Sequence, residues 1–160
     1  MYKKILVPLD GSELAECALE HVKAIATGCN VPEVILLRVV QPTSSFSLGE
    51  LAASNAKLAT DVEGQIEKEH ANQAKSYIET MVRKLTKERV SAKSQIISGN
   101  AAEQILNFSE KNQVDLIIMS THGRSGISRW AMGSVADRII HYSTIPVLII
   151  APHGCRLAST

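Results

Sequence analysis

The chain has 160 residues, of which 45% are apolar, so it is long enough for one domain with a substantial buried core. Its 17 Lys and Arg residues nearly cancel its 16 Asp and Glu residues, which excludes the strongly basic composition typical of nucleic-acid binding. The apolar runs are too short to cross a bilayer, and the N-terminal residues lack the long apolar stretch of a secretory signal. We therefore expect a cytoplasmic protein that binds neither nucleic acid nor membrane.

The first part of the chain predicts two strands separated by a helix. Residues 5–7 form a short apolar run that stops at Pro8, as buried strands do. Ser12 is a good helix N-cap, and apolar residues recur at helical spacing over 15–26. The apolar run 34–40 then predicts the second strand.

The rest of the chain continues the alternation of helices and strands. Residues 43 to about 64 are less regular, and we interpret them as a variable excursion within a single domain over residues 1–160. The remaining patterns predict helices over 66–88, 101–111 and 134–142, and strands over 90–98, 114–120 and 146–150.

This alternation predicts an α/β fold, a doubly wound sheet of five parallel strands with helices on both faces. With the strand order 3-2-1-4-5, the winding direction reverses between the first and fourth strands. Ligands of open α/β sheets bind at the carboxyl ends of the strands beside such a reversal. The loops after the first and fourth strands are therefore the predicted site.

Both loops are rich in glycine and hydroxyl groups. The first loop spans residues 8–12 and ends at Ser12, and the second spans residues 120–126 and includes Thr121. Glycine lets the backbone turn sharply and approach a phosphate closely. Successive amide N–H groups in such loops form anion-binding concavities.

A helix that starts near Ser134 adds unpaired N–H groups and the positive end of its dipole to the second loop. Gly133 precedes it, and Arg124 supplies a positive charge within the loop. The alternative is an ordinary tight loop in which Ser134 caps the helix, since Ser134 and Asp137 have the spacing of a capping box. Local chemistry alone leaves phosphate binding and capping equally open.

Three cysteines and one loop histidine suggest no further chemistry. Cys17, Cys29 and Cys155 are odd in number and lack paired spacing, so we expect free thiols rather than a disulfide framework or a zinc site. His122 lies in the second loop, but no carboxylate or nucleophile stands at a spacing that would orient it. We therefore predict no catalytic residue.

These motifs together resemble the universal stress protein family, in particular its ATP-binding branch. The family pattern is glycine, two residues, glycine, nine residues, glycine, then serine or threonine. Gly123, Gly133 and Ser134 match it, whereas Ser120 replaces the first glycine. The resemblance covers essentially the whole chain outside 43–64, and it is carried by residues 3–12, 34–40, 115–123 and 145–149.

The resemblance implies an adenine nucleotide alpha-hydrolase-like fold and a defined place for adenosine. Pro8, Leu9 and Asp10 would border the adenosine, with the Asp10 carboxylate on the ribose hydroxyls or on a bound cation. Val39 would meet adenine through its backbone, and Met119 would line the floor of the pocket.

The resemblance also implies how the phosphates would be held. Gly123, Arg124, Gly133, Ser134 and Val135 would surround the triphosphate through N–H groups and the Ser134 hydroxyl. Mg²⁺ or Mn²⁺ would accompany ATP and take mostly phosphate and water ligands. Ser12 and Thr121, the hydroxyl residues of the two loops, complete the candidate set.

The function implied is that of a nucleotide-dependent regulator in stress response, with slow or partner-dependent ATP turnover and unidentified protein partners. Two alternatives stay open. One is a nucleotide hydrolase or transferase, which needs a base or transferring group that the sequence does not show. The other is a protein-interaction module that has lost nucleotide binding, for which Ser120 is the best support.

The last strand predicts a homodimer. Residues 146–150 are apolar and lie at the sheet edge in the order 3-2-1-4-5, and an open edge invites pairing. Members of the family commonly dimerise through this strand, so the resemblance favours an interface built on Val147, Leu148 and Ile149. The alternative is a monomer in which residues 152–160 cover the edge.

Overall fold

The computed structural model describes residues 2–41, 56–121 and 132–151, with backbone alone over 56–63. No helix within these ranges is long and apolar enough to cross a membrane. The elements in chain order are β1 (Lys4–Pro8), α1 (Glu13–Glu16), α2 (Ala18–Gly28), β2 (Glu33–Val40), α3 (Ala56–Lys87), β3 (Ala92–Ser98), α4 (Ala101–Lys111), β4 (Leu116–Ser120), α5 (Ser134–Tyr142) and β5 (Val147–Ile150).

The five strands form one parallel sheet in the order β3-β2-β1-β4-β5, which confirms the predicted fold and strand order. β1 lies at the centre, with Ile5 opposite Val34 of β2 on one side and Leu116 of β4 on the other. All carboxyl ends meet at one edge because every pair is parallel. β1 and β4 are neighbours whose following segments cross to opposite faces, which opens the sheet edge between them.

Two apolar cores hold helices on the two faces of the sheet. Alternate residues of β1 point to opposite faces, so Ile5 and Val7 join one core and Leu6 the other. The first core packs α1, α2 and α3 on the sheet. The second packs α4 and α5, with Ile105 and Ile139 almost fully buried. This three-layer arrangement is the doubly wound form that the alternating pattern predicts.

The helices differ from prediction in three places. The helix predicted after Ser12 is divided at Cys17 into α1 and α2. α3 begins at Ala56 and runs for 32 residues, so its start lies inside the region that we interpreted as irregular. Its buried residues include Ala74 but not Ala71, which is exposed, because this part of α3 extends past the sheet.

One cysteine also differs from prediction. Cys29 is a free thiol, half-buried at the end of α2. Cys17, between α1 and α2, is disulfide-bonded, so the expectation of free thiols is wrong for this residue. Spacing along a sequence does not show which sulfur atoms a fold brings together, and the odd count concealed one pair.

The Asp115 carboxylate fastens the start of β1 to the start of β4. Its Oδ2 atom accepts hydrogen bonds of 2.8 Å from the backbone N–H groups of both Lys3 and Lys4. The Asp115 N–H donates in turn to the Lys4 carbonyl at 2.9 Å. The backbone hydrogen bonds from Lys3 and then Lys4 lower the pKa of Asp115, because they stabilise its charged form.

We expect Asp115→Asn to lower the free energy of unfolding by about 1 kcal/mol at neutral pH, since hydrogen bonds to a charge are stronger than those to an amide. A lowered folded-state pKa stabilises the fold fully above the ordinary value of 3.8. This contribution is lost as the pH falls through the lowered pKa. Urea unfolding of both proteins should therefore show a gap at pH 7 that closes in strong acid. A gap of the same size at both pH values would refute the role of the charge.

Candidate functional site

A cavity of about 750 Å³ opens at the carboxyl edge of the sheet, where the strand order predicts a site. Its walls come from the ends of β1, β2 and β4, the first residues of α5 and one face of α3. Nine of the predicted site residues line it, namely Pro8, Leu9, Asp10, Val39, Met119, Thr121, Gly133, Ser134 and Val135. Gly123 and Arg124, together with His122, lie outside the described residues.

The loop after β1 is shaped by a turn around Asp10. The Asp10 Oδ1 atom accepts hydrogen bonds from the Ser12 N–H at 3.0 Å and from the Ser12 hydroxyl at 2.6 Å. Gly11 has φ of +85°, a left-handed conformation that favours glycine. Ser12 then caps α1 by accepting from the Ala15 N–H at 3.1 Å. Asp10 and Gly11 line the cavity, whereas Ser12 does not and serves here as a helix cap.

The start of α5 opens onto the cavity without a side-chain cap. Gly133 is the N-cap residue, so the interpretation of Ser134 as the cap is wrong. α1 and α4, in contrast, are capped by the side chains of Ser12 and Asn100. The Gly133 N–H donates to the Thr121 carbonyl at 2.9 Å, which ties the helix start to the end of β4. The positive end of the α5 dipole is therefore directed at the cavity.

The backbone at Gly133 does not require glycine. Its φ of −62° and ψ of 143° are an extended conformation that any residue adopts. The position borders the cavity. The absence of a side chain there lets a ligand approach the backbone closely, and the backbone conformation itself does not need it. This is the use of glycine that the spacing motif predicts.

The floor of the cavity is apolar. Leu9, Leu37 and Met119 line it and are at least 90% buried. Arg38, beside them on β2, donates through Nη1 to the Leu9 carbonyl at 3.2 Å and so ties the first loop to β2. Ser120, which replaces the first motif glycine, is buried at the end of β4 and also lines the cavity. A flat apolar group is the ligand part that suits such a floor.

The remaining wall was not predicted from the sequence. His70, Gln73, Ala74 and Tyr77 of α3 line the cavity, and we call them the α3 wall. They lie at i, i+3, i+4 and i+7, so they share one face of the helix. This spacing was readable in the sequence, but nothing in it showed that α3 extends beyond the sheet edge and reaches the site.

Tyr77 carries an unsatisfied polar group on this wall. Its hydroxyl is buried and has no hydrogen-bond partner within the described part of the chain. Burial raises the pKa of the Tyr77 phenol above its usual range, and the nearby negative charge of Glu16 raises it further. The phenol is therefore neutral and retains both a donor and an acceptor. An unsatisfied buried hydroxyl costs stability, so this one invites an explanation.

The described residues contain no cluster of three His, Cys, Asp or Glu side chains that could hold a metal ion by themselves. Asp10 is the acidic residue that lines the cavity. A cation at this site would need further oxygen ligands from its own partner, as Mg²⁺ obtains from phosphates and water.

The chain is similar to proteins of one family along nearly its whole length. A model of the universal stress protein family matches residues 1–151. Universal stress protein MJ0577 of Methanocaldococcus jannaschii is 36% identical over 155 residues, which cover 94% of this chain and 95% of that protein. Universal stress protein MJ0531 of the same organism is 31% identical over 150 residues, which cover 94% of this chain and 82% of that protein.

Solved structures agree with the sequence comparison. The structure of MJ0577 superposes with a TM-score of 0.79 at 33% identity and covers 99% of both chains. A universal stress protein from Archaeoglobus fulgidus in complex with dAMP has a TM-score of 0.66 at 20% identity, covering 93% of this chain and 98% of that one, which is a likeness of fold. Since the family model spans residues 1–151 and a relative is 36% identical over nearly its full length, the chain belongs to the universal stress protein family.

Proposed function

We propose that this protein binds ATP in the cavity and acts as a nucleotide-dependent regulator in stress response. The observation that carries the proposal is the start of α5, which lacks a side-chain cap and opens onto a cavity of about 750 Å³ with an apolar floor. Structures of fold relatives in complex with dAMP and with cAMP support a nucleotide as the ligand class.

The two ends of the cavity suit the two ends of a nucleotide. The free N–H groups in the first turn of α5 attract anions, so the triphosphate lies beside Gly133, Ser134 and Val135. The apolar floor suits the nucleoside, with Val39 beside the base and Asp10 within reach of the ribose. In this arrangement Gly123 and Arg124 complete the phosphate site, as the family motif implies.

A divalent cation accompanies the phosphates in this proposal. The described residues contain no complete set of metal ligands. Mg²⁺ or Mn²⁺ would therefore be held mostly by phosphate oxygens and water, with the Asp10 carboxylate as the ligand from the protein. The role of the cation is to balance the phosphate charge, and no step of chemistry is assigned to it.

Turnover is expected to be slow or to depend on a partner protein. Phosphoryl transfer needs a group that positions water and a cation that stabilises the developing charge. Tyr77 does not supply such a group, since the raised pKa of its phenol keeps it neutral. Identifying the nucleotide that copurifies with the unsupplemented protein by mass spectrometry, and then measuring its hydrolysis, tests the binding and the turnover separately.

Gly133→Val tests the phosphate end of the site. The backbone conformation accepts valine, so we expect a folded protein whose unfolding free energy falls by no more than about 1 kcal/mol, the usual scale for an N-cap change. The side chain should block the approach of phosphate, and ATP binding in a calorimetric titration should disappear. The matched control is Gly28→Val, at the far end of α2, where an added Cβ meets no atom within 4 Å. Unchanged affinity in folded Gly133→Val would remove α5 from the site.

We also propose a homodimer through β5. This strand lies at the sheet edge, and its residues Val147, Leu148 and Ile149 are half-buried. The carbonyls of Pro146 and Ile150 accept hydrogen bonds from the N–H groups of Ile117 in β4 and of Thr121, the residue after β4. Backbone groups of a strand alternate in direction, so Val147 and Ile149 direct theirs to the open edge. Pairing with the same strand of a second copy satisfies these groups through one self-complementary patch.

Ile149→Pro should dissociate this dimer and leave the protomer folded, because proline removes an N–H that faces away from β4. Ile149→Val is the control, since it keeps both the N–H and the branched side chain. Light scattering should give twice the chain mass of 17.3 kDa for the parent and the control, and a single chain mass for the proline variant. A parent protein that scatters as one chain at micromolar concentration would rule out the dimer.

A further inference from the structure

His70 and Gln73 of the α3 wall belong to a part of the helix that does not pack on the sheet. Side chains from residue 64 to residue 73 are exposed or half-exposed, and Ala74 is the first buried one. From Ala74 onward α3 packs against β2 and β3. The preceding turns therefore stand above the carboxyl edge of the sheet, beside the cavity, and their side chains His70 and Gln73 line it.

The α3 wall stands opposite the anion end of the cavity. α3 packs on β2 and β3 within the first core, whereas α5 packs beside β5 within the second. The two helices thus lie on opposite faces and at opposite sides of the sheet. A nucleotide with its phosphates at α5 directs its base toward β2 and α3. This step rests on the proposed function.

Gln73 and Tyr77 of the α3 wall have polar groups that make only weak hydrogen bonds within the described part of the chain. The Gln73 carboxamide donates to Glu69 at 3.5 Å, the longest distance for a hydrogen bond. The Tyr77 hydroxyl, one helical turn further on, makes no hydrogen bond of good geometry within the described part of the chain, although the Glu16 carboxylate lies near it. Gln41, another carboxamide on the cavity, follows β2 and also borders a smaller groove at the start of α5. Gln73 does not border that groove, so it is the carboxamide away from the phosphate end.

We propose that Gln73 is a specificity-determining residue that recognises adenine and discriminates against guanine. A carboxamide presents one donor and one acceptor side by side. Adenine presents the complementary pair at N7 and its N6 amino group, whereas guanine presents two acceptors at N7 and O6. The amide of Gln73 satisfies both groups of adenine and leaves one acceptor of guanine opposed by an oxygen.

The test is calorimetric titration of the full-length protein with ATP and GTP, each with Mg²⁺. Gln73→Ala should weaken ATP binding by about tenfold, the effect of one bidentate base contact, and should leave GTP binding nearly unchanged. Asn72→Ala is the matched control, since Asn72 is an exposed carboxamide on the same helix that does not line the cavity. Inorganic tripolyphosphate, competed against ATP, should bind the parent and Gln73→Ala equally, because it has no base.

The outcomes separate this inference from the function on which it rests. If the parent protein prefers ATP over GTP and Gln73→Ala keeps the same preference, the inference is overturned and the proposed function is not. Equal losses of ATP and GTP affinity also overturn it, because they indicate a general effect on the site. A parent protein that binds no nucleotide overturns the proposed function and the inference together. Thermal unfolding tests whether each variant is folded. We expect that both are, because Asn72 and Gln73 are exposed.

Discussion

The reversal of winding beside β1 determines where this protein can bind a ligand. β1 pairs with β2 on one side and with β4 on the other, and the segments that follow β1 and β4 lead to helices on opposite faces. The described segments leave the sheet edge between them open, so the cavity is a consequence of topology. The central strand beside this edge is buried between two apolar cores.

The walls of the cavity differ in how firmly they are held. Leu9 and Met119 belong to the two cores, and Gly133 is tied to β4 by a backbone hydrogen bond. The turns of α3 from residue 64 to Gln73 have exposed or half-exposed side chains. Local stability follows buried contacts, so His70 and Gln73 are held less firmly than the floor of the cavity.

Much of the fold could be predicted from the sequence because its signals are local. α4 and α5 have their predicted bounds, and each strand lies within two residues of its predicted start. The alternation of apolar runs and helical periods sufficed to predict a parallel, doubly wound sheet. The floor of the cavity and the start of α5 at its rim could be predicted from the loops after β1 and β4, since topology alone brings these loops together.

The parts that could not be predicted depend on tertiary contacts. The spacing of His70, Gln73 and Tyr77 is common to one face of any helix. This face reaches the cavity because α3 extends past the carboxyl edge of the sheet. The N-cap of α5 is Gly133, one residue before the Ser134 that the capping-box spacing indicates. The Gly133 N–H is bonded to the Thr121 carbonyl, a contact between loops that the sequence does not show. The disulfide of Cys17 could not be predicted from the number and spacing of the cysteines.

Ser120 bears on the alternative that this chain is an interaction module without a nucleotide. A replaced glycine would argue for lost binding if the backbone there needed a left-handed conformation. Ser120 is instead the last residue of β4, paired in register with Ile150, and a strand accepts serine without strain. Its side chain is small and 94% buried, so it occupies little of the cavity that it lines. Gly133, the motif glycine that borders the cavity at the start of α5, is retained in this chain.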